Sequence, residues 1–319
     1  MRFAIVGAGA TGGFLGAHLA RAGADVTLIA RGPHLAAMRE RGIRVEDSNG
    51  ESFVANPKCT DDLGAVAGAD TVFLTLKAHS LPALAPALGA VLDPASSVVS
   101  CQNGIPWWFA EGLESVDPGG VIGRSLPREQ VIGCVVYPAT NLRSPGVVEH
   151  VEGDRFSLGE IDGERRPRVE SIAAALTAAG LRAPVQKDLR GEIWLKLLGN
   201  ATFNPMSALT GATLAGMATD PGTREAIRTL MAEVEGVAAA LGIRIPISIE
   251  RRIEGAAKVG EHRTSMLQDL EAGRPLELDS LTGAIIELAG RVGVPVPGLR
   301  LVDAATRLLA QVRSRKTIE

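Results

Sequence analysis

The first dozen residues constrain the fold more than any other stretch. Arg2 to Val6 is a short β-rich run, Gly7-Ala8-Gly9-Ala10-Thr11-Gly12 follows at once, and Gly13 to Ala22 reads as a helix. G-x-G-x-x-G between a strand and a helix is the turn that binds a dinucleotide. Its first glycine permits the tight turn, its second lets backbone approach a pyrophosphate, and its third lets the helix pack closely on the strand. Gly7, Gly9, Ala10, Thr11 and Gly12 are therefore candidate cofactor-binding residues, their backbone N–H groups aimed at phosphates from a helix N-terminus. A glycine-rich structural turn is the competing reading. The context, with a second strand at Asp25 to Ala30, favours the cofactor.

The end of that second strand bears on which cofactor. An NAD site usually places Asp or Glu there to accept hydrogen bonds from the ribose hydroxyls. Here the residues are Ala30 and Arg31. No carboxylate repels a 2′-phosphate, and Arg31 offers a planar fork of donors to hold one, so NADP(H) is expected. The alternative is a surface arginine at a strand end.

Strand-like and helix-like segments then alternate. A helix is expected near Pro33 to Arg41, irregular strands to Asn56, a short helix after Asp61, a buried strand Thr71 to Leu76, a helix Leu81 to Leu92 and a strand Ser97 to Cys101. This is the βαβ rhythm of a Rossmann-type α/β domain. Ligands of such sheets bind beyond the carboxyl ends of the strands, where Lys77 and Asn103 fall, and Gly104 adds a turn that brings backbone close to a ligand. Either residue could instead be a solvated strand end. Val131 to Tyr137, Val147 to Val151 and Arg155 to Leu158 read as antiparallel additions to the sheet, separated by turn signals at Asn141 to Gly146 and Gly153-Asp154. A helix from Pro167 to Ala179 and a last strand near Ala183 to Gln186 complete a domain spanning 1–187. From Asp188 the strand pattern disappears, so 188–319 is expected to be a mainly α-helical domain. Asp220-Pro221 caps one of its helices, and Ile227, Leu230, Met231, Val234, Val237, Ala238 and Leu241 trace that helix's buried face until Gly242.

Two domains suit a chain of 319 residues, because single cores rarely grow past about 250. Aromatics make up only 3% of the residues against 46% hydrophobic overall, so the cores must be built from Ala, Leu, Val and Ile. Net charge is −3 with mixed signs and no basic stripe, which disfavours nucleic acid; Arg313 to Lys316 reads as a solvated helix end. Cys59, Cys101 and Cys134 are widely spaced in apolar surroundings, suggesting neither a disulfide framework nor a metal site. No apolar run approaches the ~20 residues that span a bilayer. The five glycines up to Gly16 and the charge at Arg21 argue against a signal peptide, and a cytoplasmic location is expected.

The second stretch that carries chemistry is Trp194 to Leu209, W-L-K-L-L-G-N-A-T-F-N-P-M-S-A-L. Lys196, Asn200 and Asn204 recur every four residues and so form one slowly drifting stripe on a helix. Everything between them is apolar or small, the reverse of a surface helix, so the helix is expected to be buried with its stripe facing a cleft. The bland reading is a lysine that snorkels to water beside two amides that cap nearby backbone. Farther on, Ser265-Met266-Leu267-Gln268-Asp269 and Gly273-Arg274-Pro275-Leu276-Glu277-Leu278-Asp279 form an unusually polar patch between apolar helices. Read alone it is a capped loop, yet it supplies a hydroxyl and a carboxylate that could meet Lys196.

Nearly end to end, the sequence resembles the ketopantoate reductase family. The resemblance rests on Gly7, Gly9 and Gly12, Arg31, T-L-K-A at Thr75 to Ala78, Asn103-Gly104, W-x-K-L-x-x-N-x-x-x-N-P from Trp194 to Pro205, and S-M-L-Q-D…G-R-x-x-E-x-D from Ser265 to Asp279. It implies a Rossmann-type domain followed by a helical domain, and reduction of a 2-keto acid by NADPH. It also implies that Lys196 is the general acid, that Glu277, Asn200 and Asn204 orient it and the substrate, and that Ser265 helps hold the substrate carboxylate. Lys77 and Asn103 would lie where the nicotinamide end and the substrate meet. Hydride addition to a ketone leaves an alkoxide that must be stabilised and protonated as it forms, which a charged lysine can do.

The family's pantothenate-route members carry a further amide about ten residues past the second Asn, where this chain has Leu214, with Thr210 and Thr213 close by as partial substitutes. Trp107-Trp108, two of only three tryptophans, either wall the pocket or belong to the core. The expected reaction is reduction of 2-dehydropantoate to (R)-pantoate. The rivals are a paralogue acting on another branched 2-oxo acid and a non-catalytic NADP(H)-binding sensor, the latter disfavoured by the intact Lys196 and Glu277. Leu- and Ala-rich helical faces leave a homodimer open.

Overall fold

The computed structural model describes residues 1–316. The chain forms two compact units: Met1–Gln102, Trp107–Gly112 and Asp117–Leu189 make the first, while Asn103–Pro106, Leu113–Val116 and the chain from Arg190 make the second.

In the first unit the elements run β1 (Arg2–Val6), α1 (Ala10–Arg21), β2 (Asp25–Ile29), α2 (Gly32–Arg41), β3 (Ile43–Asp47), β4 (Ser52–Ala55), β5 (Lys58–Thr60), β6 (Thr71–Leu74), α3 (Leu81–Val91), β7 (Ser97–Ser100), α4 (Val121–Ser125), β8 (Val131–Val136), β9 (Ala139–Ser144), β10 (Val147–Glu152), β11 (Phe156–Glu160) and α5 (Pro167–Ala178). Seven strands form one sheet in the order β11-β8-β7-β6-β1-β2-β5. All neighbours are parallel except β11, which runs antiparallel to β8. The central strands β6 (TVFL) and β7 (SVVS) are buried along their whole length, as parallel strands covered on both faces must be. Val6 lies opposite Ile29 and Leu74, and Leu74 opposite Ser100, so β1, β2, β6 and β7 end level with one another. The residues beyond those ends therefore share one edge.

Helix α1 is the centre of this unit. A Cβ on Gly16 would meet Leu28 Cδ2 at 2.3 Å, and one on Gly13 would meet Ile43 Cδ1 at 2.7 Å and Val148 Cγ2 at 3.1 Å. Only a helix stripped of side chains on two faces can lie this close to a sheet on each side. The second sheet is four-stranded, in the order β4-β3-β10-β9. This corrects the expectation of three antiparallel additions to the main sheet: β11 is one, but β8 joins β7 in parallel, and β10 belongs to the second sheet, pairing in parallel with β3 and antiparallel with β9. Strand β9 itself covers Asn141 to Ser144, expected to be part of a turn; its polar, half-exposed sequence is that of a sheet edge. Nor is there a strand at Ala183 to Gln186, where only the isolated bridges Arg155↔Arg182 and Leu158↔Val185 form.

The second unit is helical: α6 (Leu189–Thr210), α7 (Leu214–Thr219), α8 (Pro221–Ala240), α9 (Ile249–Val259), α10 (Ser265–Glu271), α11 (Ala284–Val292) and α12 (Pro297–Lys316). Asp220 caps α8 by accepting from the Thr223 N–H at 2.8 Å, and the predicted face from Ile227 to Ala238 is buried. One turn of π-helix, Asp279–Gly283, leads directly into α11. Glu287 on α11 ties the Leu113–Val116 piece to this unit, accepting from the Ser115 N–H at 2.9 Å and from its hydroxyl at 2.7 Å. Burial alone would raise the Glu287 carboxyl, but these donors, with Arg291 and the Glu114 N–H, hold it below its ordinary value. Among the described residues no helix is long and apolar enough to cross a membrane.

Candidate active site

The glycine turn ends β1 and opens α1. Gly7 has φ +92°, a conformation that disfavours any side chain, and a Cβ there would sit 2.7 Å from the Leu76 backbone nitrogen. The Gly7 and Ala8 N–H groups donate to Ile29 O at 3.1 and 3.0 Å, and the first helical bond is Gly13 N–H to Gly9 O at 2.8 Å. The N–H groups of Ala10, Thr11 and Gly12 precede that bond and have no backbone partner among the described residues. A Cβ on Gly9 would meet nothing nearer than Gly7 O at 3.9 Å, so the space in front of these donors is open. Gly12 is different, since a Cβ there would strike Thr75 Oγ1 at 2.3 Å. The three glycines thus divide the work as the motif implies, and the donors they leave free fit a pyrophosphate.

Thr75 carries a role that was not legible beforehand. Its hydroxyl donates to Gly7 O at 3.0 Å, pinning the turn to the end of β6. Gln102 is a second such residue: its amide donates to Leu74 O at 2.9 Å while accepting from the Ser100 hydroxyl at 2.8 Å, which staples β7 to β6. Lys77 follows on the same edge, half-buried, at the start of a short 3-10 turn. Arg31 lies two residues past β2, exposed, and its guanidinium has no hydrogen bond or ion pair among the described residues. A free cation at this place fits the phosphate that distinguishes NADP(H).

In the second unit, Trp194 to Leu209 lies inside α6, which is buried along most of its length and continues through Pro205. Lys196 and Asn200 are half-buried, and Asn204 is 5% exposed. Asn200 Nδ2 donates to Asn103 Oδ1 at 3.0 Å, so two residues 97 apart in the chain are joined. The backbone behind Asn103 is fixed too. The Ile105 N–H donates to Ser280 O at 2.7 Å, and Gly104, φ +87°, packs so tightly on the π-turn that a Cβ would lie 2.3 Å from that same oxygen. Glu277, half-buried, stands just ahead of this turn, a type of helix irregularity often found at functional sites. Ser265, exposed, is the first residue of α10, whose cap is Thr264. Asp269 and Arg274 of the polar patch serve its own structure, closing the loop after α10 through an ion pair at 2.7 Å. Asn204 is 5% exposed, and its carboxamide makes no hydrogen bond among the described residues.

Two departures noted in the sequence can be placed. Leu214 opens α7, and neither threonine beside it is free to replace an amide: the Thr213 hydroxyl caps α7 and donates to Glu261 at 2.7 Å, and that of Thr210 donates to Met206 O at 2.8 Å. Trp108 is 1% exposed and seated on Gly133 of β8, with its carbonyl accepting from Arg128 at 2.7 Å; Trp107 is 5% exposed in the same unit. The core alternative therefore holds for Trp108. Trp108→Leu is expected to cost about 3 kcal/mol of stability in chemical denaturation without reordering the keto acids the protein prefers. A reordered ranking at unchanged stability would put this indole in the pocket.

A parallel sheet whose ends present an open, glycine-lined set of N–H donors, in a chain that also carries a stripe of lysine and amides on a largely buried helix, defines a dinucleotide-binding reductase. Residues 3–163 match the family model described as ketopantoate reductase PanE/ApbA, and residues 188–310 match its C-terminal model. The chain is 48% identical to the 2-dehydropantoate 2-reductase of Mesorhizobium japonicum, over 98% of this chain and 99% of that protein. It is 30% identical to the enzyme of the same name from Halobacterium salinarum, over 97% and 98%. Among solved structures, a PanE/ApbA family ketopantoate reductase from Ralstonia eutropha is 31% identical and superposes with a TM-score of 0.87, covering 98% of this chain and 99% of that one. The chain belongs to the ketopantoate reductase family.

Proposed function

We propose that this oxidoreductase converts 2-dehydropantoate to (R)-pantoate with NADPH, Lys196 supplying the proton. The observation that carries the reading is the polar stripe of α6: Asn204, 5% exposed and without a hydrogen bond to the described residues, lies two turns along the helix from Lys196, where a polar ligand would complete it. When bound, the nicotinamide supplies the hydride to the ketone carbon. Lys196 then stabilises the oxygen that becomes negative and donates a proton from Nζ to it, yielding the hydroxy acid. Asn103 and Asn200, locked to each other, and Asn204 orient the substrate; Glu277 keeps the ammonium charged and aimed, and Ser265 helps to hold the carboxylate. Lys77 stands on the cofactor edge, for the nicotinamide end. Leu214, with both neighbouring threonine hydroxyls engaged, favours as a second reading a more apolar branched 2-oxo acid. NADPH consumption followed by absorbance with a panel of 2-keto acids tests both. Highest kcat/KM on 2-dehydropantoate supports the first reading, and a preference for another acid supports the second. No turnover with any of them removes the enzymatic reading.

Cofactor choice gives a separate prediction. Charge-assisted hydrogen bonds are worth about 1.5 to 3 kcal/mol, so Arg31→Ala should weaken NADPH by one to two orders of magnitude and leave NADH nearly unchanged. Fluorescence titration reads both affinities. An equal loss for the two cofactors would mean that Arg31 does not touch the 2′-phosphate.

A further inference from the structure

Gly199 is a buried glycine in the middle of α6, where glycine costs roughly 1 kcal/mol relative to alanine. The space its missing side chain leaves is filled by a guanidinium. A Cβ on Gly199 would lie 2.0 Å from Arg252 Nη2, 2.7 Å from Cζ and 2.9 Å from Nε. Arg252 thus packs its guanidinium against the backbone of α6 at Gly199, one turn beyond Lys196. It reaches there from α9, half-buried, on a helix whose buried residues are Ile253 and Ala256. The carboxylate of Glu250 on the same helix is held by Arg224 at 2.9 Å and Arg228 at 2.6 Å.

We propose that Arg252 is a substrate-binding residue whose guanidinium receives the carboxylate of the 2-keto acid. The inference rests on the reading of Lys196 as proton donor and adds to it the charged group that selects acids over neutral ketones. In a 2-keto acid the ketone and the carboxylate are on adjacent carbons, so a carboxylate receptor has to stand within one helical turn of the proton donor. Residues at i and i+3 of a helix are about 5 to 6 Å apart at Cβ, and Gly199 is at i+3 from Lys196. A planar fork of donors suits a carboxylate, and packing against the bare backbone of Gly199 places that fork beside α6. The hydroxyl of Ser265 can accept or donate one bond but carries no charge to offset the anion.

The test uses Arg252→Met, which keeps the stem and removes the charge, Gly199→Ala, which pushes the guanidinium off the helix, and the double variant. Steady-state kinetics are read with 2-dehydropantoate and with the methyl ester of a branched 2-keto acid. Arg252→Met is expected to raise KM for the acid about ten- to a hundredfold with NADPH affinity unchanged, and to leave the ester within experimental scatter of the wild type. Gly199→Ala should show the same acid-selective loss, whereas adding it to Arg252→Met should change KM little and raise Tm, since alanine is the better helix former once the guanidinium is gone. An unchanged KM for the acid, or equal losses for acid and ester, overturns the role of Arg252 while leaving the reductase reading standing. A wild-type protein that reduces neither compound overturns both.

Discussion

Lys196→Ala is expected to leave the protein folded and its NADPH affinity intact while slowing hydride transfer by about 10²- to 10⁴-fold, the range that general acid catalysis supplies. The loss should appear in kcat rather than KM, because the ammonium matters most once the carbonyl oxygen has become an alkoxide. Folding should survive because Lys196 is half-buried on a helix whose packing is carried by Trp194, Leu197, Leu198 and Ala201, all within 1% of full burial. Glu277→Ala should then cost less in the Lys196→Ala background than in the wild type, since an orienting carboxylate has little left to orient. Single-turnover hydride transfer in the four proteins of this cycle gives the coupling directly. A Lys196→Ala protein that keeps more than about a tenth of the wild-type rate would move the proton donor elsewhere, with Lys77 the next residue to replace.

Gly104→Ala is expected to be the most damaging single methyl in the second unit. Placing a non-glycine residue at φ +87° costs about 1 to 3 kcal/mol. The added carbon would also lie 2.3 Å from Ser280 O and 2.6 Å from its carbonyl carbon, both backbone atoms that cannot swing aside. Overpacking of that kind adds about 1 to 3 kcal/mol. Part of the strain will be relieved by moving Asn103 away from Asn200, and a misplacement of about 1 Å near reacting atoms can cost on the order of 10²-fold in rate. The expected result is a lower Tm together with a fall in kcat, while NADPH affinity holds because the glycine turn lies in the first unit. Near-wild-type turnover at lowered Tm would show that the Asn103 to Asn200 bond is structural only.

The parts of this protein that the sequence declares are those whose cause is local. The turn at Gly7 to Gly12 is recognisable because strand, turn and helix are contiguous, and the α8 face from Ile227 to Ala238 because period and cap agree. Strand β9 was hidden since Asn141, Arg143 and Ser144 are turn-like residues, and only pairing with β10 makes them a strand. The bulk of Trp107-Trp108 spoke equally for pocket and core; the space above Gly133 decides for Trp108. At the site, the stripe of Lys196, Asn200 and Asn204 was visible because helical spacing is a sequence property. Its partners were not: Asn103 reaches Asn200 from a loop, and Arg252 reaches Gly199 from another helix. The one hint was Gly199 itself, a glycine set directly beside the polar stripe in the middle of the helix.

The second unit is assembled from three pieces of chain, two of them only four residues long, borrowed from the middle of the first unit's sequence. A fragment beginning at Leu189 would contain every helix of that unit, yet Asn200 would lose the carbonyl it binds, Ser280 O its donor from Ile105, and Glu287 the Ser115 groups that hold its carboxyl down. Cut out as a contiguous cassette, the helical portion would therefore leave part of its own bonding behind. Recombination that joins the N-terminal part of one relative to the C-terminal part of another, with the junction near Asp188, would carry Asn103–Pro106 and Leu113–Val116 over from the wrong parent, and such chimeras should stay active only where both parents share those eight residues.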